Sequence, residues 1–200
     1  MYAAPSIQKL LDELERLPGV GPKSAQRIAY WILNADKATA LRLSEAIAEV
    51  KETVRFCSRC FNYAEDDLCE ICQSSKRDAG IICVVSEPRD IPPIERTAVY
   101  NGVYHVLGGV ISPMQGISPS DLKIDLLCER IARGGVREVI IAISTSVEGE
   151  TTLFYLMNRL RQFPGLKITS IARGIGFGDE LEYVDELTIT HALLNRREIE

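Results

Sequence analysis

Cys57, Cys60, Cys69 and Cys72 stand as two C-x2-C pairs with eight residues between them, and nothing else in the sequence restricts the fold so tightly. Each pair makes a short knuckle, and two facing knuckles present four sulfurs to one tetrahedral ion. Thiolate donors and closed four-coordination select zinc, and a site with no position left for water is structural. The competing use of the four is two disulfides. These need an oxidising compartment, and Met1 to Arg16 carries charges where a secretory signal needs an apolar stretch. Phe61 to Leu68, between the pairs, is too poor in apolar residues to fold unaided, so the ion is expected to organise it and its loss to melt it. Cys83, inside the run Ile81 to Val85, and Cys128, at helical spacing with Ile124, Leu127 and Ile131, read as buried thiols.

Upstream, Leu17-Pro18-Gly19-Val20-Gly21-Pro22-Lys23-Ser24-Ala25-Gln26-Arg27 describes a glycine turn opening into a helix with a basic first turn. Gly19 and Gly21 permit positive φ and close approach of a ligand, and Pro22 suits the first helical position. The unpaired amides of such a helix start favour an anion. Lys23 and Arg27 are four apart and share a face, which suits a nucleic-acid backbone. A Walker loop is excluded, because it needs Gly directly before Lys after a strand, whereas Pro22 intervenes here. A plain capped hairpin with solvated charges is the blander reading. Ile7, Leu10, Leu11, Leu14 and Leu17 recur at helical spacing after Ser6, an expected N-cap, and Ala25, Ile28, Ala29, Ile32 and Leu33 do so after Pro22. Leu43, Ala46, Ile47, Val50 and Val54 predict a third helix, and all three apolar stripes are expected to be core. The formal net charge is −5, yet residues 1–60 hold nine Lys and Arg against seven Asp and Glu. A slightly basic front on an acidic body fits local phosphate contacts by the front.

From Gly80 the texture alternates. Strands are expected at Ile81 to Val85, Val103 to Leu107, Glu138 to Ile143 and Lys167 to Ile171, with helices at Ile91 to Arg96, Asp121 to Arg133 and Glu150 to Phe163. This predicts an α/β domain, a mostly parallel sheet covered by helices, with its functional edge at the strand ends. Gly108 to Pro119 and Gly174 to Gly178 read as loops; the second holds G-x-G-x-G without the rest of a dinucleotide fingerprint, so no cofactor is assigned there. His105 reads as a strand residue and His191 as part of a C-terminal helix cap, neither with the neighbours of a catalytic triad. No apolar run approaches membrane-spanning length, and a cytoplasmic protein without membrane contact is expected.

On the glycine turn, the four cysteines, Ile82-Cys83-Val84-Val85 and Val147-Glu148-Gly149-Glu150, the chain resembles the RecR family of bacterial recombination mediators over essentially its full length. The resemblance implies a helix-hairpin-helix DNA-binding module at 1–55, a four-cysteine zinc finger at 56–73, a Toprim-like α/β domain at 79–173 and a C-terminal segment at 174–200. It also implies a ring-shaped homotetramer that encircles DNA, works with RecO and RecF, and helps load RecA at single-strand gaps, with a polar loop in the region of Glu138 to Gly149 taking part in protein contacts. Catalytic Toprim members hold magnesium with a Glu after the first strand and an Asp-x-Asp pair after a later one. Here the first position is Ser86, with Glu87 displaced by one, and the later pair aligns with Ser144-Thr145-Ser146. Hydroxyls do not replace the lost carboxylate charge, so two-metal catalysis is not expected. Glu87, Asp90, Glu148 and Glu150 leave room for at most one weak magnesium site, and otherwise serve as helix-start charges. The expected function is a non-enzymatic DNA clamp and adaptor in recombinational repair. Its site residues are Gly19, Gly21, Lys23 and Arg27 for DNA and Cys57, Cys60, Cys69 and Cys72 for zinc. The alternatives are a magnesium-dependent nuclease or phosphotransferase using Glu87 and Glu148, and a zinc-stabilised protein-interaction module.

Overall fold

The computed structural model describes residues 4–172, 174–176 and 178–196. Residue 173, at an expected segment boundary, Phe177 in the glycine loop, and the first three and last four residues lie outside the described residues. The chain divides into two compact units, Met1–Val54 and Arg55–Glu200.

In the first unit, α1 (Pro5–Glu15) and α2 (Pro22–Asn34) form a hairpin and α3 (Lys37–Thr53) follows. Helix α1 starts on Pro5, whose fixed φ suits a first turn, with Ala4 as N-cap and no side-chain cap. Ser6 is therefore inside the helix and not its cap. Leu11 buries against Ala25 and Ala29, with Ile7, Leu10, Leu14 and Val20 at the margin. The two alanines, one turn apart, let the helix axes approach closely. Asp36 caps α3, accepting a hydrogen bond from the Thr39 amide at 2.7 Å. The expectation that all three stripes are core fails at α3, which buries no residue; Ile47 is 62% and Val50 57% exposed. Helices α1 and α2 bury part of their stripes against each other, though Leu17 and Leu33, expected in those stripes, are about half exposed, and the third stripe is left bare.

The second unit opens with a two-stranded antiparallel ribbon, β1 (Arg55–Phe56) and β2 (Tyr63–Ala64), and the short α4 (Glu70–Gln73). Then come β3 (Asp78–Val85), α5 (Ile91–Glu95), β4 (Gly102–Val106), α6 (Ile124–Ala132), β5 (Glu138–Ala142), α7 (Val147–Leu160), β6 (Lys167–Ser170) and α8 (Glu186–Leu194). The strand order is β4-β3-β5-β6, every pair parallel. Such a sheet is covered on both faces, which is why β3 reads as an unbroken apolar run. Ile82, Val84, Val139 and Ile141 pack on Leu127 and Ile131 of α6 and Leu156 and Leu160 of α7. Cys83, Val85, Tyr104 and Val106 meet Ile91 of α5 and, from the cysteine loop, Phe61 and Ile71. Cys83 and Cys128 are buried free thiols, as the apolar spacing predicts. Arg77 pairs with Glu95 and donates to the Tyr100 and Gly102 carbonyls, while the Tyr104 hydroxyl donates to Glu95 at 2.6 Å, so α5 is pinned to β4.

Three local readings change. The helix expected from Asp121 breaks into a 3₁₀ turn at Pro119–Asp121 and then α6, because the Asp121 carboxylate turns back to the Ser118 amide at 2.8 Å. The helix expected from Glu150 begins at Val147, since Ser146 caps it by accepting from the Gly149 amide at 3.1 Å. The polar region expected over Glu138 to Gly149 is mostly regular, with β5 ending at Ala142 and α7 starting at Val147, so only 143–146 is loop. Among the described residues no helix is long and apolar enough to cross a membrane.

Candidate nucleic-acid interface and metal centre

Gly19 lies in the left-handed region at φ +79°, as a tight turn requires, whereas Gly21 is extended at φ −84°, so positive φ is not its role. A Cβ on Gly21 would meet nothing within 4 Å, which makes it a position of open approach beside the helix start. Gly21 is the N-cap of α2 and supplies no side-chain cap, while Pro22 at the first position has no amide. The amides of Lys23 and Ser24 therefore point outward without helical acceptors, at the positive end of the helix dipole. Lys23 and Arg27 are both exposed and, among the described residues, neither enters an ion pair. With Tyr30 and Trp31 they line a shallow hollow along α2. Two free cations and open amides on one helix start suit an anion that comes as a repeated backbone charge.

The other predicted set also converges. The Sγ atoms of Cys57, Cys60, Cys69 and Cys72 lie within 4.8 Å of one another, all four residues buried, with Cys60 and Cys69 at 3.5 Å. Zinc–sulfur bonds of about 2.3 Å in a tetrahedron place sulfurs about 3.8 Å apart, so small shifts of the sulfurs would close the cluster on the ion. The Phe61 amide donates to the Cys57 carbonyl at 3.0 Å and the Gln73 amide to that of Cys69 at 3.0 Å, closing the two knuckles. Cys69 is pushed well below the ordinary thiol value by the hydrogen bonds it accepts from Cys60 and then Cys72, and Cys60 is pushed up by its bond to Cys69. Four crowded sulfurs cannot all ionise without a cation among them, which zinc supplies when bound.

The knuckle is docked on the sheet. The Val106 amide, on the outer edge of β4, donates to the Cys60 carbonyl at 2.8 Å. Phe61 takes the left-handed conformation at φ 64°, and its ring meets His105 edge-on at 5.5 Å, with Lys123 Nζ 5.4 Å from the ring centroid. Nε2 of His105 must carry the proton, because it donates to the Lys123 carbonyl at 2.8 Å. Burial pushes the ring down to about 4, so His105 is a neutral packing residue. His191 sits within α8, its carbonyl accepting the Asn195 amide at 3.0 Å. Sequence reasoning missed Phe61, Lys123 and Arg59, whose Nη1 donates to the Cys72 carbonyl at 3.0 Å. Only the neighbours Phe61 and Arg59 had a local signal, their place beside the cysteines; Lys123 is brought in by the fold.

At the carboxyl ends of the strands lies a cleft of about 470 Å³ lined by Ser86, Glu87, Arg89, Asp90 and Ser144 among others. Its carboxylates are occupied: Glu87 pairs with Arg89 at 2.8 Å, and Asp90 accepts the Glu87 amide at 2.8 Å. Ser146 is spent as the cap of α7. Among the described residues, Glu87, Asp90, Glu148 and Glu150 do not form a metal-sized cluster; the four cysteines do.

Comparison with known proteins accounts for each segment. Residues 7–51 match the model described as RecR, helix-hairpin-helix, 54–74 that of the RecR four-cysteine zinc finger domain, 80–172 the Toprim domain, and 174–197 that described as RecR, C-terminal. A recombination protein RecR from Saccharopolyspora erythraea is 48% identical over 199 residues, covering 100% of both chains. Those from Rubrobacter xylanophilus, 47% identical over 98% of both chains, and Bacteroides thetaiotaomicron, 45% identical over 98% of this chain and 95% of its own, are similar throughout. The donor set and the matched finger make the cysteine cluster a structural zinc site, held on the edge of a Toprim sheet. Helix-hairpin-helix, finger, Toprim domain and C-terminal segment thus follow one another in order, and the chain belongs to the RecR family of recombination proteins.

Proposed function

We propose that the chain is a non-enzymatic, cytoplasmic DNA clamp and adaptor of recombinational repair, which binds DNA backbone through Gly19, Gly21, Lys23 and Arg27. Cys57, Cys60, Cys69 and Cys72 hold zinc in this reading, and the Toprim domain docks RecO and RecF so that RecA is loaded at gaps. The modules it assigns are 1–55, 56–73, 79–173 and 174–200. One observation carries it: the start of α2, without a side-chain cap, with two exposed cations that are unpaired among the described residues, beside an open glycine. Contacts of this kind position a protein on DNA without reading sequence. The occupied carboxylates of the cleft support an adaptor over a nuclease. The bare stripe of α3 supports a homo-oligomer, in which several weak helix starts act together on one duplex as a ring tetramer.

The test is a salt titration of DNA binding by the parent, Lys23→Glu and Arg27→Glu on unrelated sequences. Each variant is expected to weaken binding uniformly and to lower the magnitude of the salt slope by about one for each phosphate no longer neutralised. Unchanged affinity and slope in both would remove the assignment. Metal-dependent DNA cleavage that disappears in Glu87→Gln and Glu148→Gln would favour the enzyme instead.

A further inference from the structure

The outer edge of β4 carries two adjacent polar groups, the Tyr104 carbonyl and the Val106 amide, and different parts of the unit satisfy them. Val106 donates to the Cys60 carbonyl at 2.8 Å, and Arg130 of α6 donates to Tyr104 through Nη1 at 2.7 Å. The guanidinium of Arg130 is thereby set next to the first knuckle. Arg59 reaches the second knuckle, donating to the Cys72 carbonyl at 3.0 Å. Among the described residues neither arginine has a carboxylate partner, although Arg130 is half-buried. Burial pushes Arg130 below its ordinary value.

An unpaired guanidinium in a partly buried place is costly unless a negative charge faces it. A zinc ion with four thiolates is such a charge, since the ligands bring four negative charges to an ion with two positive ones. We propose that Arg59 and Arg130 balance the zinc tetrathiolate, and that Arg130, held on Tyr104, is the residue through which the metal's charge is anchored to the Toprim sheet. Both are positioning residues, acting on the metal through its ligands. Outer-shell partners of this type change metal affinity by about 10- to 100-fold.

The experiment is competition for zinc between the full-length chain and a chromophoric chelator at fixed pH, for the parent, Arg130→Gln, Arg130→Lys and Arg59→Gln. Urea unfolding of each metal-free form runs in parallel. Both glutamine variants are expected to lose affinity about 10-fold or more, Arg130→Lys to recover most of it, and the metal-free midpoints to stay together. Parent-like zinc binding by Arg130→Gln overturns the proposal, as does an Arg130→Lys loss equal to that of glutamine, or metal-free destabilisation that matches the holo loss. Should Arg130→Gln fail to fold, Arg59→Gln carries the test, and its parent-like affinity overturns the role given to the pair. A parent that takes up no zinc would overturn the metal assignment itself, and this proposal with it.

Discussion

A methyl group at position 149 has nowhere to go, because a Cβ there would collide with the Ser144 carbonyl oxygen. Alanine gains about 1 kcal/mol of helix propensity over glycine, whereas forcing an atom into a packed backbone contact costs about 1–3 kcal/mol. The clash is with backbone, which cannot swing away, so the cost prevails. Gly149→Ala is expected to lower stability by up to about 2 kcal/mol, read as a reduced urea midpoint with unchanged slope. Residues whose chemistry is written in local spacing were legible in the sequence. The cysteine pairs, which the fold gathers into one cluster, are of this kind, and the spacing also put Lys23 and Arg27 on one exposed stretch of α2. Residues whose role is set by the exact path of the backbone were not: Gly149 looked like the residue before a helix and in fact lies against the Ser144 carbonyl, and Gly21 looked like a positive-φ turn and is extended.

At the scale of elements, the zinc loop and strand β4 form one unit of order. The loop has a small core of its own, the four cysteines with Ala64, Leu68 and Ile71 at its margin, and reaches the sheet through Phe61 and the Cys60 carbonyl. Removing zinc with a chelator is expected to release that bond, so hydrogen exchange at the Val106 amide should accelerate strongly while amides of the central β3 stay protected. Equal protection of Val106 with and without metal would show that the edge is held by other means. The central strands β3 and β5 were read well from sequence, because strands covered on both faces write themselves as apolar runs; edge strand β6 buries no residue and was read from its place in the alternation. Helix starts were read less well. Pro5, Asp121 and Ser146 each moved a boundary through a cap or turn whose partner is set by backbone geometry, and the bare stripe of α3 carries the same periodicity as a buried one.

For the whole molecule, two helices expose apolar residues while burying none. Leu43, Ile47 and Val50 mark α3, and Leu187, Leu193 and Leu194 mark α8, which buries no residue. Ile47→Asp is expected to leave the fold intact, by circular dichroism, and to lower the mass measured by light scattering. It should also shorten retention on a circular duplex more than on a linear one, because avidity needs several helix starts on one DNA. A variant with the parent's mass would remove α3 as the surface through which copies meet. The bond from Val106 to the first knuckle has a further cost attached. Open strand margins recruit other chains, and proteins keep them covered for that reason. Stripped of zinc, this protein is therefore expected to clump more readily than the loaded form, and turbidity followed after chelation would read that loss of solubility.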